Sequence, residues 1–207
     1  MYRKINIQIL AVIFAVLLAA VVITELVNSR RGGRSFKADL VEVTAEEVSS
    51  IEIFPKVAGG KMIRLVRQGD SWNVKSEEKT YPADPSVPGS LIEELNRATA
   101  ESVVARKEDR WDQFEVTDSL GTRVKLFDGE KVLADLVIGK FSFSQPRKMT
   151  SYVRLSGEDE VYGVDGMLGM SFNRNLSSFR DKTVIDANSS DWTKLEFQYP
   201  ADSSFTL

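Results

Sequence analysis

A nearly unbroken apolar run over residues 5–27, INIQILAVIFAVLLAAVVITELV, constrains this chain more than any other feature. As a helix rising 1.5 Å per residue it would be about 34 Å long, enough to cross a hydrocarbon core of ~30 Å. Its polar residues stand at the edges, Asn6 and Gln8 at one and Thr24 and Glu25 at the other, within reach of water or headgroups. Runs of this length without a central charge are seldom buried soluble helices, so residues 1–29 are expected to form an N-terminal membrane anchor. A cleaved signal peptide is the rival reading. Met1-Tyr2-Arg3-Lys4 makes a short basic head, and Val27, Asn28 and Ser29 are small enough for a peptidase. The run exceeds the ~7–15 apolar residues of a signal peptide, and Glu25 interrupts the approach to the cut, which favours an uncleaved anchor.

Basic residues flank both ends of the run: Arg3 and Lys4 before it, Arg30, Arg31, Arg34 and Lys37 after it. A literal count would place the carboxyl side in the cytoplasm. A short basic head before a long apolar run nevertheless acts as an export signal, and large domains translocate despite charge. The expectation is a single pass with the carboxyl-terminal bulk outside the cytoplasm.

Charge and missing residue types narrow the function. Residues 1–37 carry +5 against −3 for the whole chain, which leaves −8 for the remainder. An acidic head argues against nucleic acid or an anionic surface as its ligand. The basic residues 30–37 read as a juxtamembrane headgroup contact. There is no cysteine and no histidine. That removes disulfides, a lipidated cysteine, a thiol nucleophile, Cys/His zinc and a histidine base, and Ser-His-Asp hydrolysis with them. Only carboxylate or lysine chemistry would remain. The expectation is a protein that is not an enzyme and takes no cofactor or metal.

After the anchor, residues 30–39 form a glycine-bearing basic tether and residues 40–183 one α+β unit. Residues 50–54 and 61–67 alternate apolar and polar and read as a hairpin, with Gly69-Asp70 turning into a third strand over 71–74. Tyr81-Pro82-Ala83-Asp84, Pro85 and Pro88 are expected to forbid regular structure. A helix is expected over 89–100, capped by Ser90 with Glu93 as its reciprocal partner and Leu91, Ile92, Leu95 and Ala98 as its apolar stripe. Strands follow at 102–106, 122–127, 132–138, 151–155 and 161–164, with Asp128-Gly129 in a tight turn. A short helical stretch is expected across 166–178, and strands return at 184–186 and 194–199.

An internal echo accompanies these elements. A shift of 144 positions places Leu40-Val41 on Val184-Ile185, Val48 on Trp192 and Ile51-Glu52-Ile53 on Leu195-Glu196-Phe197. Ile63 and Leu65 then fall on Phe205 and Leu207 if the second loop is two residues shorter. Residues 184–207 are therefore expected to be the opening strands of a second, incomplete repeat unit.

Few residues suggest a site. Trp72 and Tyr81 could form an aromatic platform, although a lone strand tryptophan is more often core. Arg180, Asp181 and Lys182 read either as a surface ion network or as an interface. These five are the candidate interaction surface. Gly139-Lys140 lacks the spacing of a phosphate loop and reads as a strand end. Glu158, Asp159 and Glu160 read as a solvated hairpin tip rather than a calcium loop. Asp109 and Asp112 flank Arg110-Trp111 with no inferable catalytic partner.

The order of these pieces resembles a bacterial family, the domain-of-unknown-function family DUF4340. The resemblance rests on the N-terminal anchor, Ile51-Glu52-Ile53, Trp72 after Gly69-Asp70, Tyr81-Pro82-Ala83-Asp84 and the helix carrying Leu91 and Leu95. It continues through Ser102-Val103-Val104-Ala105, Ile138-Gly139, Tyr152-Val153-Arg154, Val161-Tyr162 and Phe179-Arg180-Asp181-Lys182. The resemblance implies a protein of the bacterial inner membrane with a periplasmic domain, an accessory component of gliding-motility-type ABC transporters. The implied partners are the lipid bilayer and a membrane protein such as an ABC permease. No catalytic residue, nucleic acid or defined small-molecule ligand is implied. An envelope domain that binds glycan or peptidoglycan fragments is the alternative.

Overall fold

The computed structural model describes residues 14, 17, 18, 36, 38–77, 79–144, 148–194, 196, 197, 205 and 206. The expected anchor and tether lie almost wholly outside these residues. Among the described residues no helix is long and apolar enough to cross a membrane.

Nine antiparallel strands form one sheet: β1 (Ser50–Phe54), β2 (Ile63–Gln68), β3 (Ser71–Ser76), β4 (Lys79–Pro82), β5 (Ala100–Ala105), β6 (Thr122–Asp128), β7 (Lys131–Ser144), β8 (Lys148–Leu155) and β9 (Val161–Asp165). Their order is β4-β3-β2-β1-β6-β7-β8-β9-β5, two four-stranded meanders joined along β1 and β6 and extended by β5 beyond β9. Among the described residues from Phe36 onward the α-helices are α1 (Ser86–Arg97), α2 (Trp111–Phe114) and α3 (Leu168–Phe172). An antiparallel sheet with one main packed helix is present, but the balance is mostly β rather than an even α+β mixture.

Alternation places one apolar row after another on the same face. Ile51 sits between Leu65 and Leu126, and Ile53 between Ile63 and Val124. Val124 faces Leu136, which faces Leu155. Leu91, Ile92 and Leu95 of α1 join the same cluster together with Phe172 and Phe179. Side chains such as Ile53, Leu65, Leu95 and Leu126 are fully buried, each contributing roughly 1.5–3 kcal/mol relative to exposure. The opposite face carries a smaller cluster in which Phe114 and Val116 lie over Val137, Val161 and Ala105.

Several elements depart from expectation for local reasons. The helix begins at Ser86, not at 89, because Pro88 falls in its first turn, where no backbone N–H has an intrahelical acceptor to lose. Ser90 is therefore inside the helix, and its hydroxyl donates to Ser86 O at 2.8 Å instead of capping. Residues 79–82 form a strand despite Pro82 because that strand is the edge, where a missing donor is tolerated. The short helical stretch expected across 166–178 is present, as α3 and a 3-10 turn at Leu176–Ser178. Strand β7 does not stop at Ile138 but continues to Ser144.

The end of the described chain holds a second, two-stranded pair, β10 (Glu196–Phe197) and β11 (Phe205–Thr206). Glu196 pairs with Thr206 and Phe197 with Phe205. Under the 144-residue shift and the shorter loop these positions correspond to Glu52 with Arg64 and Ile53 with Ile63, which are paired between β1 and β2. Residues 184–186 are not a strand: Val184 and Ile185 are exposed, whereas Leu40 and Val41 are buried. A strand there would need a partner strand and a core, and Val184 is 93% exposed.

Candidate functional site

The five residues singled out from sequence come together at the β4 edge. Phe179 drives into the core at 1% exposure and brings the residues after it against Pro82 and Ala83. Three backbone contacts hold them there. Asp84 N donates to Phe179 O at 3.1 Å, Asp181 N donates to Pro82 O at 2.9 Å, and Ala83 and Arg180 form an antiparallel bridge. The Arg180 guanidinium lies 3.7 Å from the centre of the Tyr81 ring. Trp72 is tied to the same place through its carbonyl, which accepts from Ala83 N at 2.9 Å, and Arg67 stacks on its ring at 4.9 Å.

Both rings pack partly against the core, so neither is a free platform. The Nε atoms of Arg67 and Arg180 are buried without a hydrogen-bond partner, which costs desolvation. The hold must therefore come from the backbone bonds and from Phe179. The flanking acids are local caps. The Ser86 hydroxyl and amide, 2.7 and 2.9 Å away, hold the Asp84 carboxyl below the usual carboxylate range. The Thr183 amide, at 2.8 Å, lowers Asp181 in the same way. Lys182 is exposed beside them. This clasp closes a strand edge; it does not assemble a reactive pair.

On the opposite face Arg154, only 7% exposed, lies 4.0 Å over the Trp111 ring. Its Nε donates to Val116 O at 3.0 Å and its head reaches Asp118 at 3.5 Å. Trp111 Nε1 donates to Asp159 O at 3.0 Å. The expected solvated tip at 158–160 is thus tied down. Tyr162 also donates to Glu158 at 2.6 Å, and Glu160 faces Arg106 at 3.9 Å. Burial first, and Glu158 second, push the Tyr162 hydroxyl well above the ordinary tyrosine range. Asp109 and Asp112 are exposed on the turn leading into and through α2.

Sequence reasoning missed the Arg123–Asp135 pair, a two-pronged contact at 2.9 and 2.8 Å between β6 and β7. Burial alone would raise the Asp135 carboxyl, but the Arg123 fork outweighs it and the group ends below its ordinary value. Alternation in both strands could have suggested charges aligned on the solvent face, but not which of them pair.

A cleft of about 390 Å³ lies where β7 passes the loop after β1 and the start of α3. Lys56, Glu115, Lys140, Phe141, Met170 and Asn173 line it, and Lys56 bridges to Glu115 at 2.8 Å. Gly139 and Lys140 belong to this wall in mid-strand, not at a strand end. Here β7 takes an extra residue: Ile138 faces Val153, but Phe141 faces Ser151. A Cβ on Gly139 would lie 2.2 Å from Phe114 O, so only glycine admits the α2 segment against the strand. Among the described residues no group of three or more acids could hold a metal ion.

A family model described as Domain of unknown function (DUF4340) matches residues 72–207. No curated protein and no solved structure matches the chain.

Proposed function

The chain belongs to the DUF4340 family, and from that premise we propose that it is a non-enzymatic, single-pass membrane-anchored protein. Its head lies outside the cytoplasm and serves as an auxiliary component of a gliding-motility-type ABC transporter. The observation that carries the anchor is the apolar run of residues 5–27. Phe14, Leu17 and Leu18 within it are helical, spaced along one stripe, and more than half exposed. Lipid is the solvent that suits an apolar stripe so exposed.

The charged groups of the head support a docking module rather than a catalyst. Arg123 and Asp135 tie two strands, Glu158 accepts from Tyr162, and Arg154 fastens a loop to the back of the sheet. The glycan reading is less favoured, because Arg67 covers Trp72 and Arg154 covers Trp111 where a sugar ring would stack. Tagged full-length protein, gently solubilised from its membrane, is expected to copurify with a transporter permease and ATPase. Recovery from the soluble fraction, or as a single species without a membrane partner, would contradict this reading.

A further inference from the structure

Five of the nine large apolar side chains exposed on the described head lie at one end of the sheet; the others are Val132 in the β6–β7 hairpin and Val184, Ile185 and Trp192 after Phe179. Val57, Met62, Phe141, Phe143 and Met170 are 42–60% exposed. Val57 and Met62 lie in the loop between β1 and β2, Phe141 and Phe143 at the end of β7, and Met170 in α3 after β9. Antiparallel pairing brings all of these to the same end. Val57 N donates to Asn173 Oδ1 at 2.9 Å, which joins the first loop to the segment after α3.

The extra residue in β7 decides which way the two phenylalanines point. Without it, Phe141 and Phe143 would share the face of Val137, on the opposite side of the sheet. With it, they continue the row of Leu136 and Ile138, on the side of Ser151 and α3. Beyond Ile138, β7 has no β6 partner, and its pairing with β8 reaches Phe143 and Ser144. These residues overhang the last β8–β9 pair, Thr150 with Asp165.

The N-terminal segment joins the head at this same end. Ala100 N donates to Ala38 O at 2.7 Å, and Asp39 bridges to Thr99. Ala100 faces Val164, Val164 faces Ser151, and Ser151 faces Phe141. Three strand spacings, about 14 Å, therefore separate the point where the tether arrives from Phe141. The residues between Val27 and Phe36 can span at most about 30 Å.

We infer that this end of the head rests on the lipid bilayer, with Phe141 and Phe143 inserted at the headgroup–acyl boundary and Val57, Met62 and Met170 at its margin. The inference rests on the anchor reading above and adds the orientation of the head. Insertion is apolar in character: Lys56, Lys61 and Lys148 at this end are paired with Glu115, Glu77 and Glu101, and Lys140, exposed beside Phe141, keeps its ammonium at headgroup level. Aromatic side chains in this setting sit ~5–10 Å into the boundary. Anionic lipid is not required.

The chain has no cysteine, so single cysteines label uniquely. Full-length Phe143→Cys, Val132→Cys and Leu17→Cys are labelled with an environment-sensitive fluorophore and reconstituted into vesicles of neutral phosphatidylcholine carrying doxyl quenchers. Val132 is exposed near the opposite end of the sheet, in the β6–β7 hairpin. The expected result is several-fold stronger quenching by shallow doxyl lipid at 143 than at 132, with deep quenching at 17. Deep quenching at 17 with equal, weak quenching at 143 and 132 overturns the orientation and leaves the anchor standing. No quenching at 17 removes the anchor and this inference with it. A label at 143 that is shielded only in native membranes, not in pure lipid, assigns the face to a protein partner and overturns the lipid assignment.

Discussion

The outer strand β4 and the far half of β7 each lack a strand neighbour on one side, and they are treated differently. At β4 the outer strand is short and carries Pro82, and the residues after Phe179 are stitched across its end by backbone bonds at 2.9 and 3.1 Å. Those are familiar ways to prevent a strand edge from recruiting another chain. At β7, residues 139–144 run beyond β6 with Phe141 and Phe143 more than half exposed. A fold that covers β4 with a buried phenylalanine and leaves two phenylalanines bare on the β7 overhang is not merely short of material. The covered edge serves stability, and the bare one faces an apolar surface that the head itself does not provide.

The largest effect is expected at the covered edge. Phe179→Ala removes a fully buried ring and the hold on Ala83, and is expected to cost about 3–5 kcal/mol by denaturant unfolding. Amides of β4 should then exchange as fast as those of the overhang; an unchanged β4 would break the comparison. Next comes Gly139→Ala, whose Cβ collides with Phe114 O. The strain is expected to cost about 2–3 kcal/mol. Relief by straightening the bulge would turn Phe141 to the other face.

The rooted part of β7 is pinned to β6 by Arg123 and Asp135. The Asp135 carboxyl is lowered in the folded state, so the pair stabilises above the unfolded value of about 3.9 and is lost as pH falls through the folded value. Asp135→Asn is expected to cost about 1–2 kcal/mol at neutral pH and to flatten the acid limb of the stability profile. A variant with the wild-type acid profile would show the pair to be idle. Arg180→Ala should cost only about 0.5–1 kcal/mol, since the clasp depends on backbone bonds more than on the stacked guanidinium. Phe143→Ser is expected to change stability by less than ~0.5 kcal/mol, because its ring contributes little to the core. A larger loss would mean that the overhang is structural.

What could be read from sequence followed the distance between interacting residues. Alternation at 50–54 and 122–127 located β1 and β6, and the stripe of Leu91, Ile92 and Leu95 located α1. The pairing of Phe197 with Phe205 joins residues close in the chain, where only local order matters. Pairing of β1 with β6 and of β5 with β9 joins residues far apart in the chain, and alternation alone is silent on it. The proline-bearing β4 and the first turn of α1 were hidden because proline is excluded only from interiors, not from edges and helix starts. The exposed end also carries a signal in the sequence. Phe141-Ser142-Phe143-Ser144 alternates as a strand should, but Gly139 read as punctuation because the contact that requires it, Phe114 O, lies on another element. The five residues of the candidate interaction surface do meet at β4, where Arg180 and Asp181 fasten the strand end.

The most direct test places a spin label at position 143 and, separately, at 132, in the full-length protein in lipid nanodiscs, and compares collision with oxygen and with a polar nickel chelate. The expected result is a label at 143 that favours oxygen, at the depth of the headgroup–acyl boundary, while 132 favours the nickel chelate. Equal access of the chelate to both positions would contradict the account: the bare end of the sheet would then face water.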